Sequence, residues 1–371
     1  MTNTANFDHQ EDTSKASAFS AYRSTRHFAN LDGLRAICIA LVLWHHANPL
    51  PGDAPILFDR GFLGVDFFFV LSGFLITTLL LREADRHGQF SLRNFYLRRI
   101  IRIIPVYFFV VTLVGVYYIL VKGQYEYLKL WPFYYTFLSN FLTEHIPLLE
   151  ITWSLSVEEQ YYMIWPLLML VLPIRFLVPI CVFLILFNVA AAAGIIILPT
   201  PTVGPLSFKL PNATYAPIIM GSLAAILLHR PNGFALLSTC AGGYLAPAMG
   251  LLAISLLMLL APEDLRGWPN LLIHIAMTYT LVALVVREQS VLSPFLTLRP
   301  VARFGVVSYG IYLYHLLALD IVTRVAGRFS DTVDAWIILG VYSLLSYLIA
   351  EISFRTLEAY FVRFRPKSGS V

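Results

Sequence analysis

Charged side chains are scarce in this 371-residue chain, and their scarcity excludes most soluble folds. Asp, Glu, Lys and Arg make up 13% of the residues, whereas 58% are hydrophobic and the mean hydropathy is +0.71. Soluble domains carry about 25% charged and about 45–50% apolar residues. The composition therefore excludes a disordered chain, a disulfide scaffold and a water-soluble two-domain enzyme, and it predicts a protein that crosses a membrane many times.

Cysteine is also rare, and its pattern indicates neither a disulfide scaffold nor a metal site. Cys38, Cys181 and Cys240 are far apart in the sequence and lie in apolar stretches, where buried free thiols are expected. No group of histidine, cysteine and acidic residues has the spacing of metal ligands, so no metal is predicted. An internal repeat of the kind that builds two-fold transporters is not evident either.

Long apolar runs are what the sequence has instead. A helix needs about 20 apolar residues to cross roughly 30 Å of hydrocarbon. Ten runs meet this need, approximately at residues 31–50, 62–81, 101–121, 154–173, 176–198, 214–229, 236–261, 269–286, 304–323 and 335–354. A shorter aromatic stretch at 131–143 predicts an interfacial or re-entrant segment. The predicted fold is an all-α polytopic membrane helix bundle of about ten transmembrane helices.

Basic residues concentrate in loops that would lie on one side of the membrane. The loop after the second run and the start of the third run contain Arg82, Arg86, Arg93, Arg98, Arg99 and Arg102, whereas the alternate loops are acidic or neutral. The positive-inside rule therefore predicts that both termini are cytoplasmic. Residues 1–29 predict a mobile polar tail without the pattern of a secretory signal peptide. Residues 30–360 predict a single transmembrane domain, and residues 361–371 a short cytoplasmic tail.

Ionisable side chains inside apolar runs are costly, so they are candidate functional residues. Arg35 and His46 in the first run are eleven residues apart. This separation corresponds to about 16 Å along a helix and places both on roughly the same face. Asp66 lies about one turn inside the second run, among glycines that allow close helix contact. Each also has a structural explanation: side chains that reach the membrane surface for Arg35 and His46, and a capping carboxylate for Asp66.

Polar groups also interrupt later runs. Arg99 and Arg102 share a helix face, which suits a phosphate-bearing ligand but also simply fixes topology. Glu158 and Glu159 lie at the outer end of the fourth run, where at least one must face the interior, as a functional group or as the partner of an arginine. In the ninth run, residues 308–315 contain three tyrosines and a histidine, which often form interhelical hydrogen bonds.

Four motifs that hold these residues occur in the order found in acyltransferase family 3, which the chain resembles. This family consists of multi-spanning membrane enzymes that acylate surface sugars, nodulation factors and some macrolides. The motifs are Leu31–His46, Gly61–Ile76, Phe95–Pro105 and Trp153–Tyr162, and the later stretch Tyr309–His315 is also similar. The resemblance makes residues 30–360 a transmembrane acyltransferase domain.

The resemblance also assigns family motifs to individual positions. The Arg-x10-His motif corresponds to Arg35 and His46, the Arg-x2-Arg motif to Arg99 and Arg102, and the acid after Trp-Ser-Leu to Glu158. The choice of His46 over its neighbour His45 rests on the motif spacing, and Glu159 is the neighbour of Glu158 in the same motif.

The activity that the resemblance implies is transfer of an acyl group, by resemblance acetyl, from cytoplasmic acyl-coenzyme A to a hydroxyl of a carbohydrate or glycosylated acceptor. His46 is then the general base, and Glu158 or Asp66 would hold its tautomer. The alternative is that His46 carries the acyl group covalently. Arg35 would steer the donor, and either Arg35 or a tyrosine such as Tyr314 would stabilise the oxyanion. The remaining predicted contacts are Arg98, Arg99 and Arg102 for the donor, and Trp153, Tyr314 and His315 for the substrate.

The predicted surroundings are a lipid bilayer, by resemblance the bacterial inner membrane, with no metal and no nucleic acid. A different class of protein has the same gross features: a transporter, exporter or flippase of a glycan or small molecule also has many spans and buried charges. The absence of repeats and the ordered motifs favour the acyltransferase. The sequence does not indicate the oligomeric state.

Overall fold

The computed structural model describes residues 17–50, 52, 54–209, 215–329 and 333–364, and these are mostly helical. The α-helices in chain order are α1 (Ser17–Ser24), α2 (Ala29–His46), α3 (Leu63–His87), α4 (Leu92–Val116), α5 (Trp131–Tyr135), α6 (Thr152–Val171), α7 (Ile174–Ala192), α8 (Ala216–Leu228), α9 (Pro231–Ala241), α10 (Ala246–Leu260), α11 (Trp268–Val286), α12 (Ser293–Leu296), α13 (Arg299–Val306), α14 (Ser308–Phe329), α15 (Ala335–Ser353) and α16 (Ala359–Val362).

Short irregular elements complete the described fold. A 3₁₀ segment, Ile56–Phe62, leads directly into α3, and a π-helical turn, Tyr117–Val121, extends α4. Two-residue strands β1 (Thr202–Val203) and β2 (Leu206–Ser207) pair in antiparallel register as a small hairpin. The regular structure is therefore helical, as the continuous apolar runs predict.

All ten predicted spans are helical, but fewer meet a strict test for crossing a membrane. Among the described residues, five helices are long and apolar enough, or up to eight if each sharply bent helix pair counts as one span. The two predicted spans outside this set are α6 and α8. At thirteen residues, α8 is about 20 Å long, which is shorter than the hydrocarbon core. The predicted re-entrant stretch at 131–143 contains α5, whose five residues are also too few to span.

The predicted mobile tail at 1–29 is only partly described, and its described part is folded. The helix α1 bends by 65° into α2. Its Tyr22 ring packs on Phe234 of α9 with centroids 5.4 Å apart. The guanidinium of Arg82 on α3 donates hydrogen bonds to the carbonyl oxygens of Tyr22 and Thr25. Residues 17–29 therefore pack on the bundle rather than forming a tail. The last predicted tail, 361–371, lies largely outside the described residues.

The bundle has two ends that differ in chemistry. Arg82, Arg99 and Arg102 mark one end, called here the arginine end, and His46 and His315 mark the other, called the histidine end. Helices α2, α4 and α14 run from the arginine end towards the histidine end, whereas α3 and α6 run in the opposite direction. The Tyr309 hydroxyl of α14, for example, donates to the Ile103 carbonyl of α4, level with the arginines.

Close packing of α3 on α8 holds the centre of the bundle together. Gly73 of α3 and Gly221 of α8 allow the two backbones to touch, because a Cβ on Gly221 would overlap the carbonyl oxygen of Val70. Small residues at such crossings are typical of helix association in membranes. The buried hydroxyl of Ser222, which donates to the Gly73 carbonyl at 3.0 Å, ties the same two helices together.

We expect Gly221→Val to destabilise the bundle by about 1–3 kcal/mol or more, because backbone atoms cannot yield to the added side chain. Thermal unfolding of the purified protein in detergent measures the effect. The matched control is Gly340→Val on α15, where a Cβ meets no atom within 4 Å. Equal melting temperatures for the two variants would mean that the close approach of α3 and α8 is wrong.

Candidate active site

A cavity of about 440 Å³ lies between α2, α3, α4, α6 and α14, at the arginine end of the bundle. Ligand sites commonly have volumes of about 300–1,000 Å³. Five arginines and three acids among the described residues give the lining its charge: Arg26, Arg35, Arg82, Arg99, Arg102, Asp32, Glu158 and Glu159. The excess of guanidinium groups, which bind phosphate oxygens in a fork, suits the cavity to an anionic ligand.

Arg35 faces this cavity from α2, as a donor-steering residue would have to do. Its guanidinium Nη1 lies 2.9 Å from Oδ1 of Asp32, one turn earlier, and Oδ2 of Asp32 lies 3.0 Å from Nε2 of His27. The backbone at Asp32 is fixed in turn, because Gly305 of α13 packs directly on its carbonyl oxygen. Asp32 therefore positions Arg35, although no sequence motif marked Asp32 for this role.

The cavity wall opposite Arg35 combines α4 with α6. The guanidinium of Arg99 lies over the Tyr162 ring, 4.7 Å from its centroid. Oε1 of Glu158 accepts a hydrogen bond of 2.6 Å from the Ser72 hydroxyl of α3. Glu158 lies six residues after the start of α6, or about 9 Å along the helix. Glu158 and Glu159 thus lie nearer to the start of α6, at the histidine end, than to its last residue, and both line the cavity.

Arg98 differs from the other arginines predicted to bind the donor. Its Nη2 pairs with Oε2 of Glu83 at 2.8 Å, and it is not part of the cavity lining. The Arg98 guanidinium is directed towards Glu83 of α3 instead. The structure brings Arg35, Arg99 and Arg102 together and leaves Arg98 outside.

His46, the predicted base, is the last residue of α2 and is half-buried at the histidine end. Its Nδ1 lies 3.0 Å from the Val42 carbonyl oxygen. A carbonyl can only accept, so Nδ1 carries the proton and Nε2 presents a lone pair. Glu158 and Asp66 have other hydrogen-bond partners, so the prediction that one of them holds this tautomer is wrong. The backbone of the same helix does so instead.

Asp66 forms a buried pair with a residue that no motif marked. Its Oδ2 lies 2.9 Å from Nε2 of His274 on α11, and both side chains are almost fully buried. Asp66 is not among the residues that line the cavity. A buried pair that joins α3 to α11 accounts for the position of Asp66 without a catalytic role.

We expect Asp66→Ala to lower stability by about 1–3 kcal/mol, because His274 loses its buried partner. Turnover by the protein that remains folded should change little. Thermal unfolding and a rate per folded molecule measure the two quantities separately. A large loss of turnover at unchanged stability would mean that Asp66 has a catalytic role.

The predicted substrate residues on α6 and α14 separate into different environments. His315 is fully buried, and its ring contacts His46 with centroids 4.7 Å apart. The Tyr314 hydroxyl points away and donates to Ser353 of α15 at 3.0 Å. Trp153 packs edge-on against Phe69, which lines the cavity, with centroids 6.1 Å apart. Only His315 is therefore close to the predicted base.

Glu150, an acidic residue near His46, is not part of any of the four motifs. Glu150 precedes α6 and interacts electrostatically with both His46 and His145. Burial lowers the pKa of His145 in this loop, and Glu150 opposes the shift. The sequence marks Glu150 only as one acid in a loop, because its approach to His46 depends on how α2 and α6 pack. Within the described ranges, no three potential ligand residues are grouped around a metal-sized site.

These features define a polytopic membrane protein with an arginine-rich cavity and a pair of histidines in contact with each other. Residues 28–352 match a family model described as an acyltransferase domain, and the chain belongs to this family, acyltransferase family 3. The family assignment that the four motifs carry is confirmed, and with it the predicted enzyme class, an acyltransferase. No solved structure matches the chain.

Curated relatives of the chain are O-acetyltransferases. The peptidoglycan O-acetyltransferase OatA of Listeria monocytogenes serovar 1/2a is 28% identical over 358 residues, 90% of this chain and 56% of the relative. The O-acetyltransferase OatA of Staphylococcus aureus strain NCTC 8325 is 28% identical over 357 residues, 90% and 57% respectively. A putative O-acetyltransferase of S. aureus strain COL is 34% identical over 172 residues, 43% and 27%. The chain thus spans little more than half of the two longer matches.

Proposed function

We propose that this protein moves an acyl group, acetyl by similarity to its relatives, from cytoplasmic acyl-coenzyme A to a hydroxyl of a carbohydrate or glycosylated acceptor. The observation that carries the proposal is the arginine-lined cavity, whose lining residue Tyr312 contacts His315, which in turn contacts His46. The name of one relative makes peptidoglycan the first acceptor to test. The membrane would be the bacterial inner membrane, with the arginine end and both termini on the cytoplasmic side.

The donor would enter at the arginine end. Coenzyme A carries several phosphate charges on its nucleotide and a long, thin pantetheine arm that ends in the thioester. Arg99 and Arg102 would bind the phosphates, and Arg35 would lie beside the arm, higher in the cavity. The Asp32 carboxylate pairs with the Arg35 guanidinium at 2.9 Å and holds it in place. The positive-inside rule supports a cytoplasmic position for this end.

The acceptor would approach from the histidine end. His46 is half-buried there, and its Nε2 makes no hydrogen bond within the described part of the chain. That nitrogen would remove the proton from the acceptor hydroxyl as the oxygen attacks the acyl carbon. The Val42 carbonyl holds the required tautomer, and the carboxylate of Glu150 would stabilise the imidazolium that forms.

The test uses the purified full chain in detergent, radiolabelled acetyl-coenzyme A and glycan fragments that include peptidoglycan. We expect label in the glycan and release of one free thiol for each acyl group transferred. Absence of coenzyme A binding and of labelled glycan, across acyl donors of several chain lengths, would contradict the proposal. Movement of unmodified glycan across vesicle membranes containing the protein would instead support a transporter.

A further inference from the structure

We infer that His315 is the nucleophile that carries the acyl group between the donor cavity and the acceptor bound near His46. The inference rests on the proposed function and assigns its covalent step to a residue other than the predicted base. Three observations support it: the position of His315 between the cavity and His46, the tautomer of its ring, and its unpartnered buried nitrogen.

The position of His315 fits a residue that links two half-sites. Tyr312 lines the cavity, and its ring centroid lies 5.5 Å from that of His315, one turn further along α14. On its other side, His315 contacts the His46 ring. His46 is not among the residues that line the cavity. His315 does not line the cavity either, but its ring contacts both the lining residue Tyr312 and His46, so it lies between them. A thioester that advances past Tyr312 would therefore meet His315 before His46.

The ring of His315 is held in the state that a nucleophile needs. Its Nδ1 lies 2.5 Å from the Tyr312 carbonyl oxygen and therefore donates to it. Nε2 then presents a lone pair, and this atom is buried without a hydrogen-bond partner among the described residues. Buried polar atoms are rarely left unpaired, and those that are call for an explanation. A role in attacking an acyl carbon explains why the lone pair of this nitrogen has no hydrogen-bond partner.

The step balances without an added reactant. Nε2 of His315 attacks the thioester carbonyl, the C–N bond forms, and the C–S bond breaks with departure of the thiolate of coenzyme A. Nε2 of His46 then removes the acceptor proton, and the acceptor oxygen attacks the acyl carbon. The C–N bond breaks and the pair returns to His315. The proton on His46 finally passes to water, and the released thiolate takes up one proton from water, so that charge and protons balance.

A carrier predicts a partial reaction that direct transfer does not. Without acceptor, the wild-type protein should exchange labelled coenzyme A into unlabelled acetyl-coenzyme A. His315→Asn should lower this exchange more than about 1,000-fold, because it removes the nucleophile. The Asn amide can still donate to the Tyr312 carbonyl, so a purely structural role would be preserved. His46→Ala should retain exchange while losing transfer to the acceptor.

Tyr342→Phe is the matched control for packing around His315. Its ring lies 6.5 Å from that of His315, and its buried hydroxyl has no described partner to lose. We expect wild-type exchange in this variant. Exchange that survives in His315→Asn, or wild-type transfer to acceptor without any exchange, would overturn the carrier. Absence of both transfer and exchange in the wild type would instead contradict the proposed function itself.

A trapping experiment does not depend on the folding of His315→Asn. The His46→Ala protein is mixed with labelled acetyl-coenzyme A without acceptor, quenched rapidly and mapped by mass spectrometry. The expected adduct is one hydroxylamine-sensitive acetyl group on His315. An acetyl group found instead on Tyr312 or another side chain would overturn the assignment.

Discussion

His46→Ala should lower the rate of acyl transfer to acceptor by about 10²–10⁴-fold, because a positioned general base contributes an acceleration of that size. Binding of acyl-coenzyme A should be unchanged, since His46 is not among the residues that line the donor cavity. Turnover with labelled donor and calorimetric titration with coenzyme A measure the two effects on the same preparation.

His45→Ala is the control for this variant. The His45 ring is exposed, its Nδ1 faces the Asp59 carbonyl oxygen at 3.2 Å, and it contacts His46 only edge-on. Its removal should leave turnover near that of the wild type. If His45→Ala loses as much activity as His46→Ala, the choice between the two histidines is wrong. If neither loses activity, the general base lies elsewhere.

Joint replacement of Arg99 and Arg102 by Ala should raise the apparent dissociation constant for acyl-coenzyme A. Each hydrogen bond between charged groups contributes about 1.5–3 kcal/mol, so each arginine that binds phosphate is worth about 10-fold to 150-fold in affinity. The rate at saturating donor should fall much less. The salt dependence of binding should also weaken, because charge screening acts on the contacts that have been removed.

Arg98→Ala is the control, because Arg98 is the neighbour of Arg99 in sequence but pairs with Glu83 outside the cavity. It removes a positive charge from the same helix turn without touching the lining. Donor affinity in this variant should stay close to that of the wild type. Equal losses for Arg98→Ala and Arg99→Ala would mean that net charge at this end, rather than the cavity, governs donor binding.

Sequence patterns locate the helices of this fold well, because each helix is determined by residues that are close together in the chain. The ten apolar runs all become helices, and the separation of Arg35 from His46 on one helix follows from helix geometry alone. The same-face pair Arg99 and Arg102 reaches the cavity for the same reason. The number of spans does not follow from the apolar runs alone, because α8 is a helix yet too short to cross hydrocarbon by itself.

Partners that are distant in the chain escape such patterns. His274 lies 208 residues after Asp66, and only the packing of α11 on α3 brings the two together. The position of Glu158 between the two ends of the bundle likewise depends on where α6 begins and on how α6 packs beside α3 and α4. The contact of His46 with His315 joins helices at opposite ends of the sequence. Tertiary packing determines each of these contacts, and sequence patterns alone do not reveal how distant helices pack.

The most direct test of the central claim, that donor and acceptor enter from opposite ends of the bundle, uses sealed proteoliposomes. Glycan acceptor is enclosed inside, and labelled acetyl-coenzyme A is added outside. The arrangement of the arginine cavity and the two histidines predicts labelled glycan inside intact vesicles with the wild type, and about 100-fold less or lower still with His46→Ala. Acylation only when donor and acceptor share one compartment would contradict it.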